Sequence, residues 1–409
     1  MASVSVLNVR LYGQPIGTLT RVEGDRSLFA FNEAYIADIH RPTLGLGFKD
    51  NLGELITEFR PIKTMLMPFF SNLLPEGHLR DYLSENTGVN SEREFFLLWV
   101  LGKDLPGAIT VTPADSEEWP LKEESEVADQ DNTGERQEKA LRFSLAGAQL
   151  KFSAINESRG GLTIPAKGIG GSWIIKLPSS QYEGVPENEY SMMTLARLIG
   201  MDVPPVELVN VADIKNLPDG LGNIAQNRGL AIERFDRLSD GTVVHIEDFA
   251  QIFGLYPADK YKKASVVNIA AVIAAESDEN DIAEFIRRLT FNTLIGNADM
   301  HVKNWSVIYP DRRNAALAPA YDFVSTIPYI PDEEAGLKFS RTKRFDQYSE
   351  DELSHLAARA RLPENLVLQT ARETTALFHQ YWQKEKNNLP MHRDVIEAID
   401  QHLTTIPLR

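Results

Sequence analysis

The chain has 409 residues, of which 43% are hydrophobic and 24% are charged, as is typical of a globular protein with a large buried core. Its formal net charge of -16 argues against DNA binding by bulk electrostatics, so any contact with DNA would need a basic patch or a basic partner. The lack of cysteine excludes disulfides, thiolate catalysis and cysteine-ligated zinc sites. Residues 1–12 lack the basic segment and apolar run of a signal peptide, and no apolar stretch is long enough to span a bilayer, so we expect a cytoplasmic protein without a membrane partner.

The first part of the chain is predicted to be β-rich. Alternating polarity over 3–12 indicates a strand, and the pattern continues over 16–21 and 28–31. Two helices and a final strand follow, so residues 1–112 are interpreted as an α+β subdomain. Residues 113–140 are rich in Glu and Asp and poor in apolar residues, which predicts an acidic linker or a mobile insertion.

The rest of the chain is predicted to form two lobes. Residues 141–236 contain short apolar strands and one helix, which indicates a small sheet, and residues 237–409 are predicted to form a mainly helical lobe. The helix predicted at 281–294 has Asn280 or Asp281 as its expected cap, and it leads directly into a polar loop at 296–304. The sequence therefore favours an α+β fold with two lobes.

The polar loop contains the residue types that phosphoryl transfer requires. Asp299 and Asn304 are five residues apart, the spacing of catalytic aspartate and metal-binding asparagine in protein kinases. Asp322 follows a predicted β-hairpin, where a second metal-binding carboxylate is expected. A pair of this spacing alone is common in turns and caps, but the third acid and the preceding apolar helix favour a kinase site. His301 after the aspartate is more typical of lipid kinases.

Lys176 ends a predicted strand and is a candidate for binding ATP phosphates. Strand lysines more often extend into solvent on their apolar stems. Glu189, on a helix about a dozen residues later, favours the kinase interpretation, because kinases pair a strand lysine with a helix glutamate.

Two other segments are weaker candidates when judged by their chemistry alone. The small residues between Ser144 and Lys151 would let the backbone approach phosphates closely, but they could equally mark tight packing. The strand that contains Glu233 and Phe235 lies at the predicted lobe junction, where it could contact adenine or simply end in a surface ion pair.

Taken together, these segments resemble the HipA family, the serine/threonine kinase toxins of bacterial toxin–antitoxin pairs. The resemblance extends over nearly the whole chain and implies a bilobal kinase-like fold with a small β-rich N-terminal subdomain. The matching segments occur in the family's order: Ser144 to Gln149 with Lys151, Ile174 to Pro178, Asn188 to Tyr190, Glu233 to Arg237, Asp299 with His301, Lys303 and Asn304, and Tyr321 with Asp322. Leu150 departs from the pattern, since an acidic residue is frequent there, and the acidic segment has no obvious counterpart.

The resemblance also implies a role for each matching residue, with ATP and Mg2+ as cofactors. Ser144 would be phosphorylated by the enzyme itself, which expels the phosphate-binding loop and inactivates the kinase. Asp299 would be the catalytic carboxylate, and Asn304 and Asp322 would bind Mg2+. The residues implied to bind or line the ATP site are Ala146, Gly147, Ala148, Gln149, Lys151, Lys176, Glu233, Phe235, His301 and Lys303.

The partners implied by the family are a small helix-turn-helix antitoxin, operator DNA reached through that antitoxin, and a protein substrate. The best-known substrate of the family is an aminoacyl-tRNA synthetase, whose phosphorylation halts translation and promotes dormancy. Two alternatives remain open: a lipid or small-molecule kinase, and a non-catalytic co-repressor. The intact set of Lys176, Asp299, Asn304 and Asp322 argues against the second alternative.

Overall fold

A computed structural model describes residues 5–77, 80, 90, 92–114, 151–156, 162–164, 170–179, 181–217, 227–331 and 333–408. Ser144, the candidate loop residues Ala146 to Gln149 and nearly all of the predicted acidic segment at 113–140 lie outside this range. Lys151 is the first described residue after them.

The N-terminal subdomain is built on a five-stranded antiparallel sheet in the order β4-β3-β2-β1-β5. Alternate residues of the first strand are buried, with Leu7, Val9 and Leu11 fully covered, as a half-buried strand requires. The strands are β1 (Ser5–Leu11), β2 (Gln14–Val22), β3 (Arg26–Phe31), β4 (Ile62–Lys63) and β5 (Ile109–Pro113). The helices are α1 (Glu33–Ala37), α2 (Pro68–Ser71) and α3 (Glu94–Leu101).

A second antiparallel sheet, in the order β7-β6-β8-β10-β9, forms the small lobe together with one helix. Its strands are β6 (Lys151–Asn156), β7 (Leu162–Thr163), β8 (Trp173–Lys176), β9 (Val206–Asn210) and β10 (Arg228–Glu233). Helix α4 (Val185–Leu198) packs against β9 and β10. Buried residues of this sheet, including Phe152 and Ile175, share one hydrophobic core with the N-terminal subdomain.

The large lobe is mainly helical and has its own core. Its strands are β11 (His245–Asp248), β12 (Ser306–Tyr309) and β13 (Ala316–Leu317), and its helices are α5 (Phe249–Ile252), α6 (Val266–Glu276), α7 (Glu279–Leu294), α8 (Glu350–Ala360), α9 (Glu364–Glu385) and α10 (Arg393–Leu403). In the described chain as a whole, short 3-10 turns occur at Leu46–Phe48 in the N-terminal subdomain, at Val211–Asp213 in the small lobe, and at Pro257–Asp259, Val302–Asn304 and Phe345–Gln347 in the large lobe. The predicted α+β architecture with two lobes is confirmed.

The start of α7 differs from the prediction. The N-cap is Asp278, whose carboxylate accepts hydrogen bonds from the backbone N–H groups of Asn280 and Asp281, so the expected caps lie inside the first turn. An aspartate at this position satisfies two otherwise unpaired donors, which explains why the helix begins earlier than predicted. Among the helices in the described part of the chain, none combines the length and apolar character needed to cross a lipid bilayer.

A buried ion network joins the N-terminal subdomain to the end of β10. Arg234 contacts both carboxylate oxygens of Asp236, with N···O distances of 2.9 Å each. The same carboxylate accepts a hydrogen bond from the backbone N–H of Gly107 at 2.8 Å, and Arg237 reaches Asp104 at 3.2 Å. The side chains of Arg234 and Asp236 are only 2% and 6% exposed, so each buried charge would be strongly destabilising without its partner.

We expect Asp236→Ala to destabilise the protein by about 3–5 kcal/mol, because it leaves the Arg234 guanidinium buried without its main partner. The matched control is Asp346→Ala, which breaks an exposed pair with Arg344 and should cost at most about 1 kcal/mol. Urea unfolding of both variants measures the difference. Equal midpoints for the two variants would show that the buried network does not stabilise the fold.

Candidate active site

The candidate site is a cleft of about 420 Å³ between the small and large lobes, with one end closed by the N-terminal subdomain. Nine of the residues predicted from the sequence line it: Lys151, Lys176, Glu233, Phe235, Asp299, His301, Lys303, Asn304 and Asp322. The structure therefore brings together residues that are up to 171 positions apart, Lys151 to Asp322. Ser144, Ala146, Gly147, Ala148 and Gln149 lie outside the described residues.

Lys176 is the central charge of the cleft. Its ammonium contacts the Glu189 carboxylate at 2.6 Å and also donates to Asp322. This confirms the predicted pairing of a strand lysine with a helix glutamate. Burial alone would lower the pKa of Lys176, but Asp322 and Glu189 raise it above its usual value, so the lysine is charged at neutral pH.

Asp322 follows the β12–β13 hairpin, as predicted, and lies in the left-handed region of backbone conformation with φ of 57°. Burial disfavours the charged carboxylate, yet Lys176 and Lys151 together lower the pKa of Asp322 to about 2. Asp322 is therefore ionised at neutral pH. A carboxylate in this state can act as a ligand for a hard cation.

The polar loop at 296–304, which follows α7, is shaped by amide side chains. Asn297 is buried, and its carbonyl oxygen accepts a hydrogen bond from the backbone N–H of Asp299 at 3.1 Å. The Asn304 amide donates to the backbone carbonyl of Asp299 at 3.0 Å, so the 3-10 turn folds the two predicted residues together. Asn297 was not predicted as a site residue, although its position in the loop could have indicated a structural amide.

The exposed Asp299 carboxylate accepts a hydrogen bond from the hydroxyl of Tyr261, which the sequence analysis missed. The Tyr261 ring packs edge-on against His301, with ring centroids 5.0 Å apart. Burial lowers the pKa of His301 to about 4, so the imidazole is neutral at pH 7. Tyr261 comes from a loop 38 residues before the aspartate, and no local pattern indicates the contact.

The N-terminal subdomain also supplies side chains to the site. The Lys303 ammonium donates to the Asn72 side-chain oxygen at 3.0 Å and contacts the Glu76 carboxylate at 2.9 Å. Lys260 contacts the same carboxylate at 3.3 Å. Burial opposes ionisation of Glu76, but the two lysines lower its pKa to about 2. Asn72 and Glu76 were not predicted as site residues, because neither pattern nor spacing connects them to Lys303.

Part of the cleft lining is apolar and aromatic. Phe235 and Tyr321 stack with ring centroids 6.0 Å apart, and Ile174 and Ile232 line the same space. Glu233 is the last residue of β10, at the junction of the lobes. A flat apolar slot beside strand-end backbone groups suits a planar heterocyclic base.

The donor set fits magnesium bound together with phosphates. Mg2+ prefers oxygen ligands and is commonly held by one or two carboxylates plus substrate phosphates and water. Asp322 and Asn304 supply a carboxylate and an amide oxygen on the wall of one cleft. Within the described residues, no group of three His, Cys, Asp or Glu side chains could hold a metal by itself.

Two family profiles match the chain. The HipA N-terminal domain matches residues 7–112, and the HipA-like C-terminal domain matches residues 143–382. Y4dM of Sinorhizobium fredii, a protein provisionally named a kinase, is 56% identical over 411 residues, which cover 100% of this chain and 98% of the relative. The serine/threonine-protein kinase toxin HipA of Shewanella oneidensis is 28% identical over 331 residues, covering 73% of this chain and 72% of the relative.

The fold has a solved counterpart. A chain from the complex of Shewanella oneidensis HipA, HipB and operator DNA superposes with a TM-score of 0.72 at 22% identity. The match covers 98% of this chain and 95% of the other, which confirms the bilobal kinase-like fold. The resemblance found in the sequence is confirmed by the two profiles and the relatives, and the chain belongs to the HipA family.

Proposed function

We propose that this protein is an ATP- and Mg2+-dependent serine/threonine protein kinase. The observation that carries the proposal is the single cleft that contains the Lys176–Glu189 ion pair, Asp322 and the Asp299–Asn304 loop. Phosphoryl transfer depends on positioning and on charge stabilisation, and these residues supply the groups that both tasks require.

In this proposal the apolar slot beside Phe235 binds adenine, with backbone groups near Glu233 at its edge. Lys176 and Lys151 neutralise phosphate charge from the same wall of the cleft, since their strands pair at these two residues. His301 and Lys303 line the phosphate end. When bound, Mg2+ supplies charge neutralisation at the phosphates, and Asn304 and Asp322 are the residues that would hold it.

Asp299 is proposed to orient the hydroxyl of the substrate and accept its proton. Its carboxylate is exposed at the mouth of the cleft, where a protein side chain can reach it. Its backbone is fixed on both sides by Asn297 and Asn304. A general base needs this combination of access and fixed geometry.

Ser144 is proposed to be phosphorylated by the kinase itself. It lies seven residues before Lys151, which lines the cleft, so an extended connection of about 24 Å would reach the site. A phosphate on Ser144 adds nearly two negative charges next to the loop that is proposed to bind the ATP phosphates. Repulsion there would favour the loop leaving the site and would switch the enzyme off.

The biological role that we propose is that of a toxin paired with a helix-turn-helix antitoxin. The solved counterpart was determined in a complex with HipB and operator DNA, and the net charge of -16 on this chain suits DNA contact through a basic partner. The protein substrate is proposed to be a translation component, such as an aminoacyl-tRNA synthetase. A lipid or small-molecule kinase is the second candidate, favoured by the histidine that follows Asp299.

We expect Asp299→Asn and Asp322→Asn each to lower transfer from labelled ATP by about 10²- to 10⁴-fold, because one loses the general base and the other a charged metal ligand. Incubation with Mg2+ and a bacterial lysate, read by phosphoprotein and lipid analysis, measures transfer. Asp351→Asn on the exposed face of α8 is the matched control and should transfer normally. No label on protein or lipid from the wild type would overturn the kinase proposal, and label on lipid alone would favour the second candidate.

We expect Ser144→Ala to abolish labelling of the kinase itself while transfer to proteins of the lysate continues, because the variant removes the acceptor hydroxyl and no catalytic group. Ser144→Asp should weaken ATP binding through charge repulsion. Mass spectrometry and nucleotide titration are the measurements, with Ser125→Ala in the acidic segment as the control. Undiminished self-labelling of Ser144→Ala would contradict the assigned acceptor.

A further inference from the structure

The Asp299 backbone and the Asp299 carboxylate are held by different parts of the molecule. Asn297 and Asn304 fix the backbone N–H and carbonyl of Asp299 within the catalytic loop. In the described part of the chain, the carboxylate has a single hydrogen-bond partner, the hydroxyl of Tyr261, which donates to Oδ1. Rotation of this exposed carboxylate is therefore limited by Tyr261.

Tyr261 is itself anchored to the catalytic loop. Its ring packs edge-on against the buried His301, with an interplanar angle of 72°. The backbone carbonyl of Lys260 accepts a hydrogen bond from the N–H of Val302 at 3.4 Å, which ties the two loops together. Lys260 also pairs with Glu76, so the loop is attached to the N-terminal subdomain as well.

We propose that Tyr261 is a positioning residue that orients the catalytic carboxylate of Asp299 toward the substrate hydroxyl. This inference rests on the proposed kinase function. The hydrogen bond occupies Oδ1 and leaves Oδ2, which has no hydrogen-bond partner among the described residues, to receive the substrate hydroxyl.

Two further observations support the interpretation that Tyr261 is a fixed part of the site and is not displaced by a substrate. The Tyr261 ring against His301 and the Lys260 carbonyl bonded to the Val302 N–H both attach the Tyr261 loop to the loop that contains Asp299. Burial and the neighbouring Asp299 raise the pKa of Tyr261 above its usual value, so the phenol keeps its proton and donates throughout the physiological pH range.

The test is Tyr261→Phe in the full-length protein, assayed with ATP, Mg2+ and a protein substrate identified by the labelling experiment. The substitution keeps the ring against His301 and removes only the hydroxyl. We expect kcat to fall about ten- to a hundredfold, the factor that corresponds to one hydrogen bond to a charged group, while the KM for ATP stays unchanged. Tyr256→Phe is the matched control from the same loop, because among the described residues it is Tyr261 and not Tyr256 that donates to the Asp299 carboxylate, and it should keep the wild-type kcat.

ATP binding and thermal unfolding of each variant show whether it is folded.

A further variant, Tyr261→Phe combined with Asp299→Asn, should be no slower than Asp299→Asn alone, because the hydrogen bond acts only through the carboxylate. A Tyr261→Phe enzyme with wild-type kcat would overturn the inference and leave the kinase proposal intact. A faster enzyme would also overturn it, by showing that the hydroxyl blocks the carboxylate. An inactive wild type would instead overturn the proposed function itself.

Discussion

The rest of the site depends on the ion pairs that the Lys176 ammonium makes with two carboxylates. Lys176 is the buried last residue of β8, and its partners are Glu189 on α4 and Asp322 after the β12–β13 hairpin. A buried charge of this kind is stable only when its partners surround it. The small-lobe sheet, its helix and the Asp322 segment of the large lobe therefore have to meet at one point, and the cleft forms around that point.

A second contact keeps α4 in register with the segment that contains Asp322. Asn188, next to Glu189 and fully buried, accepts from the backbone N–H of Ser325 at 3.1 Å and donates to its carbonyl at 2.8 Å. The side-chain amide thus pairs with backbone as a neighbouring strand would. Because Ser325 follows Asp322 by three residues, any shift of the helix would also disturb the proposed metal ligand. The position of Asp322 is in this way coupled to the position of the helix that carries Glu189.

The sequence predicts those features that leave a local pattern. Apolar periodicity located α4 and α7, and the strand lysine with its helix glutamate followed from a spacing of 13 residues. Tyr261 and Glu76 were missed, because their contacts join loops 38 and 227 residues apart in the chain and no periodicity connects such loops. The cap Asp278 was missed for another reason: several consecutive acidic and amide residues can cap a helix, and only the backbone geometry decides among them.

The N-terminal subdomain supplies part of the lining of the cleft. Lys303 follows Asp299 by four residues, and its ammonium is satisfied by Asn72 and Glu76 of that subdomain. Without them a 7% exposed lysine in the cleft would lose its nearest counter-charge and its hydrogen-bond acceptors. The shared hydrophobic core and the Arg234–Asp236 network hold the subdomain where it can make these contacts. The two matched family domains therefore act as one structural unit, in which the first completes the site of the second.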